Sequence, residues 1–169
     1  MRKLILVASL ALVLPAVAAA AASPVPTPAD LAKAACKTEK HAMGTKVFKL
    51  TYGAKSTAKA MAKCVDKGEP AAAVEAKNAA KACKAERDAD PEGFATTYGT
   101  NKNGKNAFGK CVSSKAQAAT QDEAEDRVNA AKTCKALKRD DPDEFEEQFG
   151  TRKNAFGKCV STTARADGA

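Results

Sequence analysis

Seven side chains in this chain could do chemistry beyond packing and solvation: six cysteines and a single histidine. His41 follows Cys36 by five residues, and an imidazole beside a thiol is the sharpest catalytic arrangement on offer, because it would activate the sulfur as a nucleophile. The equivalent positions after Cys83 and Cys134 are Asp88 and Arg139, and Cys36 has a bridging partner within reach. His41 therefore reads as an exposed residue without a catalytic task. The acidic run Asp140 to Glu147 invites a metal, yet it lacks the Asp-x-Asp-x-Asn-Gly spacing of a calcium loop and contains Pro142. Carboxylates in the first turn of a helix are favoured by its dipole without any ligand. Gly-x-Ser-x-Gly, a Gly-Lys-Ser phosphate loop, Cys-x-x-Cys and His-x-x-x-His are all absent. The expectation is no enzyme, no cofactor and no metal site.

That leaves the cysteines as structural groups, and the start of the chain supplies the compartment. Arg2 and Lys3 precede an apolar run from Leu4 to Val17, followed by Ala18 to Ser23, the pattern of a cleavable signal peptide ending near Ala20 to Ala22. The run is about 14 residues against the roughly 20 that a membrane span needs. No cysteine follows it directly to take a lipid, since the first is Cys36, beyond Pro24, Pro26 and Pro28. From Ser23 onward the chain holds three Leu, seven Val, six Phe and no Ile. So few large apolar residues bury too little area to offset conformational entropy. Six cysteines in an exported chain are the obvious compensation.

The elements that must position these sulfurs come in three similar copies. Residues 83–111 read CKAERDADPEGFATTYGTNKNGKNAFGKC and residues 134–159 read CKALKRDDPDEFEEQFGTRKNAFGKC, each followed by Val-Ser. The first copy, Cys36 to Cys64, is worn: it keeps Phe48, Tyr52-Gly53 and Lys63-Cys64-Val65, places Met61 where the others have Phe108 and Phe156, and lacks the Asp-Pro. The stretch between the aromatic-Gly and the last cysteine differs in length among the copies, which makes it a poor place for a catalytic site. Each unit reads as helix, short helix, helix. Ala-, Lys- and Glu-rich stretches such as 74–87 and 127–139 are good helix formers. Asp90-Pro91 and Asp141-Pro142 place an N-cap before a proline at the first helical position. Phe94 and Tyr98, like Phe145 and Phe149, fall four apart on one face, and Gly99 or Gly150 ends the short helix. Phe108, Cys111 and Val112, or Phe156, Cys159 and Val160, then mark the last helix at i, i+3, i+4. No strand pattern appears. Reading along the chain gives a signal peptide at 1–22, a Pro-rich linker at 23–28, units at 29–69, 70–116 and 117–163, and a disordered tail at 164–169.

Fifteen pairings are open to six cysteines, and helix geometry narrows them. Cys111 and Cys134 lie on a stretch without Gly or Pro; on one helix they stand about 34 Å apart, far beyond a disulfide's reach. If the chain instead turns near Thr120, where Thr120 and Glu123 could form a capping box, their heights still differ by roughly 9 Å. Within each unit the heights match. The expected bridges are Cys36 with Cys64, Cys83 with Cys111 and Cys134 with Cys159, each packed on its own aromatics to give three small cores. The fold class is all-α: three tandem disulfide-stapled units, with a long connecting helix as one option.

Charge bears on partners. From Ser23 the chain carries 26 Lys plus Arg and 20 Asp plus Glu, distributed as +5 over 29–69, +3 over 70–116 and −2 over 117–169. Lys interspersed with Ala on helix faces reads first as a solvated surface, and as a binding surface it would suit an anionic envelope polymer, lipid headgroups or nucleic acid, or a protein partner. With no Trp and no Arg cluster, it offers no support for specific nucleic-acid recognition. The repeated core, Tyr98 to Asn101 with Lys105 to Ser113 and Phe149 to Thr151 with Lys153 to Ser161, resembles a segment of uncharacterised secreted proteins of actinobacteria. The resemblance implies an exported bacterial protein and supplies no activity. The expected function is a secreted, non-catalytic helical repeat protein with a binding or structural role at the cell envelope or beyond it. The alternative is a secreted effector, an inhibitor or membrane-active protein, using the basic N-terminal half.

Overall fold

Thr27 caps the first helix: its hydroxyl accepts from the Asp30 amide while the Asp30 carboxylate receives the Thr27 amide, and Pro28 occupies the first helical position. The chain is seen here in a computed structural model that describes residues 25–101 and 103–167. The signal peptide read at 1–22 lies outside the described residues. Six helices follow in order: α1 (Pro28–Thr51), α2 (Thr57–Ala89), α3 (Pro91–Tyr98), α4 (Ala107–Asp140), α5 (Pro142–Phe149) and α6 (Ala155–Asp167). Among the described residues there is no strand.

All three expected bridges are present, joining Cys36 to Cys64, Cys83 to Cys111 and Cys134 to Cys159, each with a Cα separation of 6.0 Å. They tie α1 to α2, α2 to α4 and α4 to α6. Leu31 and Ala32 near the start of α1 pack with Ala72 and Ala79 of α2, whereas Phe48 and Tyr52 near its end pack with Ala60 and Cys64. Those two helices are therefore antiparallel. The same crossing of early with late residues joins α2 to α4 and α4 to α6. Three apolar clusters result, each centred on one disulfide. Alanines form much of the clusters around the second and third bridges, letting the helix backbones approach closely where few large side chains are available to fill space.

The aromatic pairs also recur. Phe48 and Tyr52, Phe94 and Tyr98, and Phe145 and Phe149 stack at tilted angles with ring centroids 4.9, 5.0 and 5.4 Å apart. Asp90 and Asp141 cap α3 and α5 by accepting from the amides of Gly93 and Glu144. The first unit lacks that cap, and the residue four before its Phe48 is Gly44. There α1 leaves helical geometry, at φ 75° and ψ 157°, a conformation that glycine adopts without the strain a side chain would bring. Gly44 thus performs the break that Asp-Pro makes elsewhere.

At Thr120 the structure decides between the two courses the sequence leaves open: α4 is one continuous helix. Thr120 makes no turn; it is buried inside α4, where its hydroxyl donates back to the carbonyls of Ala116 and Gln117. The helix continues because the face carrying Ala116, Thr120, Ala124 and Val128 is buried along its length. Positions 69/70 and 116/117 fall inside α2 and α4, so adjacent units share a helix. Pro70 removes an amide donor within α2, yet it is solvent-exposed, where water can serve the freed carbonyl, and packing against α1 and α4 holds the helix. The tail read as disordered from residue 164 is helical through Asp167, and Pro28 of the supposed linker opens α1.

Candidate functional site

Glu39 lies one helical turn beyond Cys36 and is fully buried. A buried carboxylate is costly unless paired and hydrogen-bonded. The Tyr52 hydroxyl donates to its Oε2, and the Arg127 Nε donates to Oε1 at 2.7 Å. Arg127 comes from the middle of α4, 88 residues away in sequence, and its other edge meets Glu123 at 3.8 Å. Burial is the largest single influence and opposes the Arg127 charge, but Glu39, Tyr52 and Glu123 together outweigh it and raise its pKa. Burial, then the charge of Glu39, raises the Tyr52 phenol well above its ordinary value, so it remains a donor. Burial likewise raises Glu123.

The second unit has the same constellation at its surface. Glu86 stands three residues after Cys83, accepts from the Tyr98 hydroxyl at 3.1 Å, and pairs with Lys115 Nζ at 2.7 Å. The hydrogen bond from Lys115 holds Glu86 below the usual carboxylate range. In both units the glutamate Oε2 lies 3.9 Å from the second sulfur of the bridge, Cys64 or Cys111. The third unit replaces glutamate and tyrosine together, with Leu137 and Phe149, and Thr163 takes the position matching Lys115. Polar and apolar versions of one arrangement thus exist side by side.

Cys36, Glu39 and Cys64 place three potential ligand atoms within 4.8 Å of one another. Both sulfurs are committed to the bridge, and the carboxylate is engaged by Arg127 and Tyr52. This donor set suits a closed structural lock rather than a metal. His41 is exposed on α1, and the acidic residues around Asp141 serve the start of α5.

A concavity lies beside this lock. The end of α1 forms its floor, and α2 and α6 form its walls. It has a volume of about 980 Å³ and is lined by Lys63 and Lys67 of α2, Lys153 before α6, and Lys158 and Arg165 of α6, against the single carboxylate of Asp66. A second hollow of about 660 Å³ continues it past Lys67 and Arg165 toward Arg127, where the carboxylates of Glu123 and Asp126 also line it. All five cations are exposed. Among the described residues, none of them has a carboxylate within ion-pair distance. Gly157 sets the geometry: a Cβ there would lie 2.4 Å from the Thr51 carbonyl oxygen, so only glycine lets α6 settle against the end of α1.

No protein-family model, curated protein or solved structure matches this chain. The site therefore rests on its own geometry. The six cysteines named from the sequence are brought together as expected. Sequence reasoning missed Glu39, Glu86 and the cleft. A signal for the glutamates existed in the copies themselves, where Glu accompanies Tyr and Leu accompanies Phe. The cleft had none, because three of its five cations belong to residues 117–169, whose net charge is −2.

Proposed function

We propose that this protein is an exported, non-catalytic binding protein, built from three copies of one motif, that holds an anionic polymer at the cell envelope or outside the cell. The observation that carries this reading is the cleft between α2 and α6, with five exposed cations facing one carboxylate. Like charges gathered in a concave site repel one another, and an anionic ligand relieves that repulsion while the walls focus the field. Three closed disulfides support an oxidising compartment. No described helix is long and apolar enough to cross a membrane. The effector alternative, acting through the N-terminal half alone, is less favoured because Lys153, Lys158 and Arg165 complete the cleft from the opposite end of the chain.

The test is retention of the oxidised protein on a polyanionic matrix under a salt gradient. Elution at moderate salt, lost in the Lys63→Glu/Lys158→Glu variant, supports the reading. Retention that ignores both salt and the variant removes it.

A further inference from the structure

The cleft is not a row of charges alone. Between its cations stand Asn154, Ser161 and Thr162, and the half-buried Phe149 contributes an apolar surface at one end. Resting on the proposed anion-binding reading, we infer that the occupant is an acidic polysaccharide, a chain of sugar rings bearing carboxylates or other fixed anions. Lys158 and Arg165 are seven residues apart on α6, about 10 Å along the helix axis. An extended chain with a charge on successive rings can engage the two at separate anions, and can reach the cations of α2 across the cleft as well. Hydroxyl and amide side chains between the cations match the ring hydroxyls between a polymer's anionic groups. Phe149 offers the apolar patch on which the C–H face of a pyranose can rest.

Single-stranded nucleic acid fits less well, since it requires aromatic platforms along the groove. Tyr52 lines the cleft but is only 7% exposed, with its hydroxyl committed to Glu39. A flat lipid surface cannot follow cations set on the inner walls of a concavity.

The experiment is calorimetric titration of the oxidised protein with polygalacturonate, poly-glutamate of matched charge, single-stranded DNA and neutral dextran. Polygalacturonate is expected to bind at least about tenfold more tightly than poly-glutamate or DNA, with dextran unbound. Lys158→Glu/Arg165→Glu should weaken both carboxylate polymers, while Asn154→Ala/Thr162→Val should weaken polygalacturonate and leave poly-glutamate unchanged. Equal, salt-sensitive affinity for the two carboxylate polymers, or tighter binding of DNA, overturns the glycan inference and leaves the anionic cleft standing. Dextran binding as tightly as polygalacturonate, or no polyanion binding at all, overturns both readings. So does polyanion binding that is indifferent to Lys158→Glu/Arg165→Glu.

Discussion

Replacing Arg127 with methionine keeps much of the aliphatic volume of the side chain and deletes the cation that faces Glu39. The carboxylate is 0% exposed and would keep only the Tyr52 hydroxyl. Breaking a buried pair by removing one partner costs about 3–5 kcal/mol, because the remaining charge is uncompensated. The Arg127 side chain is 27% exposed, so water can partly replace it and the lower end applies. A loss of about 3 kcal/mol corresponds to a fall of roughly 6–12 °C in Tm for a chain of this size. Urea unfolding of the oxidised protein should show a lower midpoint with unchanged m. Adding Glu39→Gln should recover most of the loss, since a neutral amide can still accept from Tyr52. The reasoning is refuted if Arg127→Met costs under about 1 kcal/mol, or if the double variant is no more stable than the single.

Other outcomes follow from the same geometry. Tyr52 retains its proton in the fold at pH values where the unfolded chain loses it. Stability should therefore hold below about pH 10 and fall above it by about 1.4 kcal/mol per pH unit relative to Tyr52→Phe, whose lysine background is the same; parallel alkaline curves for the two proteins would contradict this. The bridges close separations of 28, 28 and 25 residues, each contributing about 3–4 kcal/mol in the chain-entropy view. The fully reduced protein should lose cooperative unfolding while its Ala-rich helices keep some far-UV signal, and a cooperative melt within a few degrees of the oxidised protein would show that the cores stand unaided. Gly157→Ala should destabilise by about 1–3 kcal/mol, because its Cβ meets a backbone oxygen that no rotamer change can move; an unchanged urea midpoint would show that α6 has room to shift.

Much of the fold could be read from the chain because it rests on local rules. Asp-Pro caps, aromatics four apart and cysteines at matched helix heights each act within one or two turns, and the bridges follow from helical rise. The continuity of α4 through Thr120 was less legible, since Thr120 with Glu123 has the form of a capping box. Burial of Thr120 against neighbouring helices decides the matter. Pro70 stands inside α2, where its cost of about 3 kcal/mol in a helix interior is offset by tertiary packing. Gly44 replaces an Asp-Pro break by a different backbone mechanism, so comparison of residue types hid the equivalence. The partnership of Glu39 with Arg127 spans most of the described chain and has no local signature. Net charge by segment concealed the cleft, because the third unit's carboxylates at 140–147 gather around the start of α5 while Lys153, Lys158 and Arg165 face α2.

The cleft as the binding surface is tested most directly by the salt dependence of polyanion affinity in three proteins. These are the wild type, a variant with Lys63, Lys67 and Lys158 changed to glutamine, and a control with the exposed Lys37, Lys81 and Lys132 changed to glutamine. Net charge is the same in both variants. The wild type and the control should bind polygalacturonate with similar affinity and a steep loss as salt rises, while the cleft variant should bind at least about tenfold more weakly with a shallower slope. Equal weakening of the two variants would mean that overall charge, and not the cleft between α2 and α6, attracts the polymer.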